Sequence, residues 1–312
     1  MRIVRLAESP EHLDKLQPFL NLYLERDFIT KNMFKRVLID DPNMDYKYVY
    51  LAFEGEELIG ILIGVRRISM PVELVEKHRR IGWIKALAVK SDGRGMRAAD
   101  EMLEEFEEDL LSENRSIIRV SDFASWHITA GLDIAYQQLF KMYIAKGFRK
   151  VGTVVDYEVD LEGFKIPEYV LDLERKLEEE NYRIYKPTVE ERREILNWIG
   201  KVFSPLWAYE AGLTFNGEEA DLWIARLGEK IVGFSAYSAL EPNWFGPIGV
   251  DSESRRLGIG TVLLYKSLLS MRLMGYKTII IPWTDHLKFY TQLSRITGVR
   301  HYLILEKRQK HS

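Results

Sequence analysis

The chain has 312 residues, 46% of them hydrophobic and 29% charged, with a formal net charge of −3; that is long enough for two ordinary domains, since one core rarely grows past about 250–300 residues. Without a long basic run, a nucleic-acid partner is not expected. No cysteine is present, which excludes disulfides, thiolate metal sites and a cysteine nucleophile together.

Met1 to Leu20 lacks the apolar core of a signal peptide. The longest apolar run, Leu58 to Val65, holds two glycines and is too short to cross a bilayer. The expectation is a cytoplasmic protein with no membrane contact. Ala52 to Ile61 reads as a β-hairpin, with apolar strands flanking a short charged turn at glycine. A strand follows from Trp83 to Val89, then a polar loop. The helix after it puts Ala99, Met102, Leu103, Phe106 and Leu110 on one face, with Glu104, Glu105, Glu107 and Glu108 outside. A strand from Ile117 to Val120, a helix from Gln137 to Ala145 and a strand from Val151 to Val159 complete the first half. The segment Glu162 to Asn181, ending in the charged run Glu174 to Glu180, reads as a helical connector.

The second half repeats this grammar, and a repeat outranks any single motif. Ala225 to Phe234 matches the first hairpin position for position in character. A strand from Phe245 to Val250 leads into a loop and an apolar helix, Thr261 to Met274, with Gly275 as its C-terminal cap. Thr278 to Ile281, a helix from Leu287 to Leu293 and His301 to Leu305 follow. The predicted class is α/β with a mixed sheet. The predicted domains are 1–160 and 182–312, joined by the connector 161–181.

One loop carries the chemistry: Ile248-Gly-Val-Asp-Ser-Glu-Ser-Arg-Arg-Leu-Gly-Ile-Gly260. Gly258 and Gly260 allow close backbone approach. The free N–H groups at the helix start form an anion site, and Arg255 and Arg256 add positive charge. A dinucleotide fingerprint would need glycine at position 263, which is leucine, and a P-loop would need Gly-Lys-Ser/Thr, where Gly260 is followed by Thr261 and Val262.

Arg-x-x-Gly-x-Gly after a strand ending in valine, at the head of a buried helix, resembles the GNAT acyltransferase superfamily, and the duplicated layout is similar to that of mycothiol synthase. The resemblance implies acetyl-coenzyme A as co-substrate, its pyrophosphate held by Arg255, Arg256, Leu257, Gly258, Ile259, Gly260 and Thr261. It implies that Ile248 and Val250 offer backbone to the pantetheine arm. The N-terminal copy, Val89 to Ala99, keeps Arg94 but has Arg97 and Ala99 at the two glycine positions, so a degenerate site is expected there.

In this family a tyrosine on the following helix sits near the coenzyme sulfur. Tyr290 occupies the matching place, although the family's Gly-Phe ending is replaced by Gly298-Val299. Tyr143, followed by Gly147-Phe148, fits that ending better but belongs to the half with the weaker loop, and is read as a packing residue. An amine acceptor needs a general base; the candidates are Glu241, Asp285 and His286. Trp207, Tyr209 and Phe215 are candidates to line an acceptor pocket, and Glu210 to meet a cationic amine. No histidine or carboxylate spacing suggests a metal. The expected function is an N-acyltransferase acting on a small amine or peptide, as a monomer or homodimer. Two rivals stay open: a coenzyme A-binding sensor without catalysis, and an interaction protein whose glycines only make a tight turn.

Overall fold

The computed structural model describes residues 1–215 and 221–309, and no described helix is long and apolar enough to cross a membrane. The chain forms two compact units: Met1–Val154 joined by the stretch from His301 on, and Val155–Arg300.

In the first unit β1 (Arg2–Arg5), β2 (Val49–Glu54), β3 (Glu57–Val65) and β4 (Ile81–Val89) pair antiparallel in that order, and β5 (Ile117–Val120) pairs parallel with β4. Between β1 and β2 lie α1 (Leu13–Tyr23) and α2 (Lys31–Phe34). The Thr30 hydroxyl caps α2 by accepting the Met33 N–H. A one-turn α3 (Val72–Val75) precedes β4, and α4 (Gly93–Ser112) follows it. As the spacing predicts, α4 buries Ala99, Met102, Leu103, Phe106 and Leu110, and it buries Ala98 as well. Gly64 of β3 is needed beneath it, because a Cβ there would sit 2.3 Å from the Phe106 ring. β6 (Leu132–Asp133), α5 (Gln137–Ala145) and β7 (Arg149–Asp160) come next. The loop from α4 carries Glu113. Burial alone would raise its carboxyl, but hydrogen bonds from Arg66, Lys47 and Tyr48 hold it at about 2 against 4.5. Its folded pKa lies below the unfolded one, so its contribution is complete above about pH 4.5 and lost as pH falls toward 2. Glu113→Gln is expected to flatten that part of the acid-unfolding curve, as followed by circular dichroism; an unchanged curve would contradict the ion-pair assignment.

In the second unit α6 (Glu168–Glu179) leads into β8 (Tyr182–Tyr185), α7 (Arg192–Val202), α8 (Pro205–Gly212), β9 (Leu222–Leu227), β10 (Lys230–Tyr237) and β11 (Phe245–Val250). The strands β8, β9, β10 and β11 form an antiparallel sheet in that order. The two hairpins agree in detail: their turn glycines, Gly55 and Gly228, hold φ of 60° and 56°, a conformation that suits glycine. Then follow α9 (Ile259–Leu273), β12 (Thr278–Thr284), α10 (Leu287–Tyr290) and β13 (Ile296–Arg308). The apolar α9 is buried along most of its length, and Gly275 at φ 101° ends it as expected. The helix predicted over 287–293 is a single turn.

Two readings of the sequence are revised. The strand assigned to the end of the first half runs from residue 155 on in the second unit, where Tyr157, Glu158, Val159 and Asp160 pair with β12. The strand assigned to the end of the second half enters the first unit at His301 and pairs with β5 and β6. The halves therefore exchange their last strands. The pattern of each segment marks it as a strand but does not name its partner, so it cannot say which sheet each joins. The second revision concerns the connector. Its helix α6 is a core element of the second unit, with Val170 and Leu177 1% and 2% exposed and the helix packed on α9.

Candidate acyl-transfer site

The register of the hairpins superposes the two copies residue by residue. Val89 pairs with Gly60, and Val250 with Gly233. A Cβ on Gly60 would lie 3.3 Å from Ala98, and one on Gly233 would lie 3.3 Å from Ile259. Ala98 lies as far beyond Val89 as Ile259 lies beyond Val250, so the two loops have equal length. Arg94 then matches Arg255, Arg97 matches Gly258 and Ala99 matches Gly260.

The same length folds differently. In the second unit Asp251 caps a short turn, Ser252–Ser254, by accepting the Glu253 N–H. Lys230 neutralises both acids, at 3.4 Å from Asp251 and 2.9 Å from Glu253. Arg255 turns back to donate to the Val250 carbonyl at 3.1 Å. The chain passes through positive φ at Arg256 (66°) and again at Gly258 (91°), which is the left-handed N-cap of α9. No side chain caps this helix. The amides of Ile259, Gly260 and Thr261 are thus left at the positive end of a long helix, beside exposed Arg255 and Arg256.

In the first unit the matching residues are wound into helix. α4 begins at Gly93, more than a turn ahead of the position that matches the start of α9. Arg97 lies inside this helix, where Gly258 holds the left-handed conformation that a side chain disfavours. The helix start is already filled: the Asp92 carboxylate accepts the Arg94 and Gly95 amides at 3.0 and 2.9 Å. The Gly95 amide and Arg94 hold that carboxyl below its usual range, so it stays an anion. Arg94 is tied to Asp92, Glu54 and Glu57.

The strands leading into these loops diverge as well. Trp244, just before β11, forms a parallel bridge with Ile280 of β12, and residues 246–250 of β11 stay half-exposed. The side chains of Ile248 and Val250 pack on the α9 side. On the other face Phe203 covers Gly249 so closely that a Cβ would sit 2.6 Å from its ring, and Trp207 lies 5.3 Å from Phe203. In the first unit β4 parts from β5 after Ile84 and Val120, but residues 82–89 are all buried. The segment after β5 fills the opening, with Phe123 and Trp126 0% and 1% exposed. Lys85 closes it from beneath, fully buried with Nζ 2.5 Å from Asp41 Oδ2 and pushed down to about 8 by burial. A small cavity of about 30 Å³ here is bordered by Lys85, Val120, Leu132 and Tyr143.

The catalytic candidates fall unevenly. Tyr290 is 6% exposed, against Phe245 of β11 and Tyr157 at ring distances of 6.5 and 5.9 Å. Burial and the Tyr157 phenol push its pKa up, so it is a phenol at neutral pH. Glu241 is 3% exposed, in the turn whose carbonyl accepts the Trp244 N–H. Asp285 stands in solvent with His286 3.6 Å away; its side chain is 71% exposed, which suits a solvated loop residue. Trp207, Tyr209, Glu210 and Phe215 are all half-exposed, on or next to α8. Tyr143 packs edge-on against Phe148 at 4.9 Å, consistent with a packing role. The sequence reading missed the Asp92 plug, although an aspartate directly before the first residue of a helix is a capping signal. It also missed Leu173 of α6, whose methyl carbons lie 2.4 and 2.7 Å from the Cβ position of Gly258.

Residues 177–293, within the second unit, match the model of the Acetyltransferase (GNAT) family, and the chain as a whole has the fold of a tandem GNAT protein. No curated protein sequence matches the chain. Among solved structures it is similar to a glucosamine N-acetyltransferase region of a fungal multi-domain β-N-acetylglucosaminidase, with a TM-score of 0.77 at 15% identity; 98% of this chain is covered, but it spans only 37% of that one. A GCN5-related N-acetyltransferase from Sphaerobacter thermophilus gives 0.69 at 12% identity, covering 96% and 93%. A tandem GNAT protein of the clavulanic acid biosynthesis pathway gives 0.67 at 12% identity, covering 100% and 99%.

Proposed function

We propose that the protein is an acetyl-coenzyme A-dependent N-acetyltransferase whose one working site lies in the second unit. The observation that carries this reading is the contrast between two loops of equal length: one presents uncapped amides beside a half-exposed strand, and its copy is wound into helix and capped by its own aspartate. The residues from Arg255 to Thr261 take the pyrophosphate, and the backbone of β11 at Ile248 and Val250 takes the pantetheine arm. The acceptor amine attacks the thioester carbonyl directly, forming the C–N bond. As the tetrahedral intermediate collapses the C–S bond breaks, the Tyr290 phenol donates to the departing thiolate, and the amine proton passes to a base. Glu241 is the better-placed carboxylate for that, because it is buried next to the start of β11 whereas Asp285 stands in solvent. Phe203 and Trp207 offer the acceptor an aromatic wall across Gly249.

Calorimetric titration with acetyl-coenzyme A is expected to give one site per chain. Two sites would reopen the first unit, and no binding would overturn the reading. Amines, beginning with glucosamine in view of the fungal similarity, are then screened by thiol release. Tyr290→Phe is expected to lower kcat by about 10²-fold or more, within the range of a lost general acid, with KM for acetyl-coenzyme A little changed. Binding without turnover of any amine favours the sensor reading.

A further inference from the structure

We propose that Leu173 of α6 is a positioning residue for the phosphate-binding loop, so that the helix joining the two copies in sequence is a working part of the cofactor site. The inference rests on the coenzyme A reading above. α6 crosses α9 with the Tyr169 hydroxyl 3.1 Å from that of Tyr265. Leu173 lies on Gly258, two turns nearer the start of α9. The helix is pinned on both sides of Leu173: Val170 and Leu177 are in the core, and Glu174 pairs with Lys266 at 2.6 Å with both side chains under 20% exposed. Leu173 therefore has little freedom to move.

Its methyl carbons occupy the space that any side chain at position 258 would claim. Two independent constraints thus act on one residue. The backbone angle of 91° favours glycine, and the room beside it is taken by Leu173. The leucine backs the N-cap from the apolar side, keeping the first turn of α9 in the conformation that aims its amides outward. It touches no phosphate. Its role is to hold the loop that does, and an apolar backing also strengthens the hydrogen bonds made on the other side.

Leu173→Ala is expected to weaken acetyl-coenzyme A binding about tenfold, equivalent to 1.4 kcal/mol, while kcat at saturating cofactor stays unchanged. Val170→Ala, on the same helix but away from Gly258, is expected to lower the melting temperature at least as much without moving Kd. The decisive variant is the double one. Gly258→Ala alone binds poorly, and adding Leu173→Ala recovers part of the affinity, because the new methyl enters the vacated space. Equal Kd values for Leu173→Ala and the unaltered protein, or additive losses in the double variant, overturn the inference while leaving the coenzyme A reading intact. Absence of binding by the unaltered protein overturns both.

Discussion

A chain ended after Arg300 is expected to lose cooperative folding of the first unit, although the deletion lies at the far end of the sequence from that unit. Tyr302, Ile304 and Leu305 are 1%, 6% and 0% exposed. Burying three such side chains is worth roughly 5–9 kcal/mol at about 1.5–3 each, comparable to the whole stability of an ordinary domain at about 5–15 kcal/mol. The truncation also removes the Lys307–Glu107 ion pair at 2.7 Å, the pairing of Glu306 with Arg119, and the bond from the Gln309 amide to the Ser116 carbonyl. The measurement is hydrogen exchange read on peptides from β4, β5 and α4 of the shortened chain. Protection equal to that of the full chain would show that the first unit does not depend on its borrowed strand.

Gly258→Glu is expected to abolish acetyl-coenzyme A binding, at least about a hundredfold in Kd. The substitution forces a side chain into the left-handed region, at about 1–2 kcal/mol, drives it into Leu173 and brings negative charge to an anion site. Arg97→Glu, the matching change in the first unit, is expected to leave binding untouched. Arg97 is exposed and its loop is already helical. Ala99 is no substitute for this control, because it is fully buried and its replacement tests the core instead. Equal losses in both variants would place cofactor in both units and refute the assignment of a single site.

Much of this was legible in the residues. The hairpins, the amphipathic face of α4, the buried α9 with its Gly275 cap and the loop at Gly258 all follow from local pattern, where periodicity and turn chemistry act over a few residues. The correspondence of Arg97 to Gly258 was legible too, but not its outcome. That a loop becomes helix depends on Asp92 folding back onto the Arg94 and Gly95 amides, and on Gly95 tolerating a Lys90 carbonyl 2.0 Å from where its Cβ would be. Pairing of distant strands was illegible for a different reason. Residues 155–160 and 301–308 each read as a strand, but a strand pattern names no partner, so only the assembled sheets decide where each goes. The place of Leu173 was hidden likewise, since a leucine in a charged run reads as the spine of a linker until α9 is packed on it.

The exchanged strand also bears on how the protein is made. In most multidomain chains the N-terminal domain completes its fold while the remainder is still being synthesised. Here β5 waits for a partner 187 residues downstream, since Arg119 pairs with Glu306. The first unit must leave the ribosome with an open edge on its sheet and stay so until Arg308 has been added. Such an edge is a template for unwanted pairing, so the interval before the last strand arrives is when this chain is most exposed to misassembly, and slower translation of its second half would lengthen it.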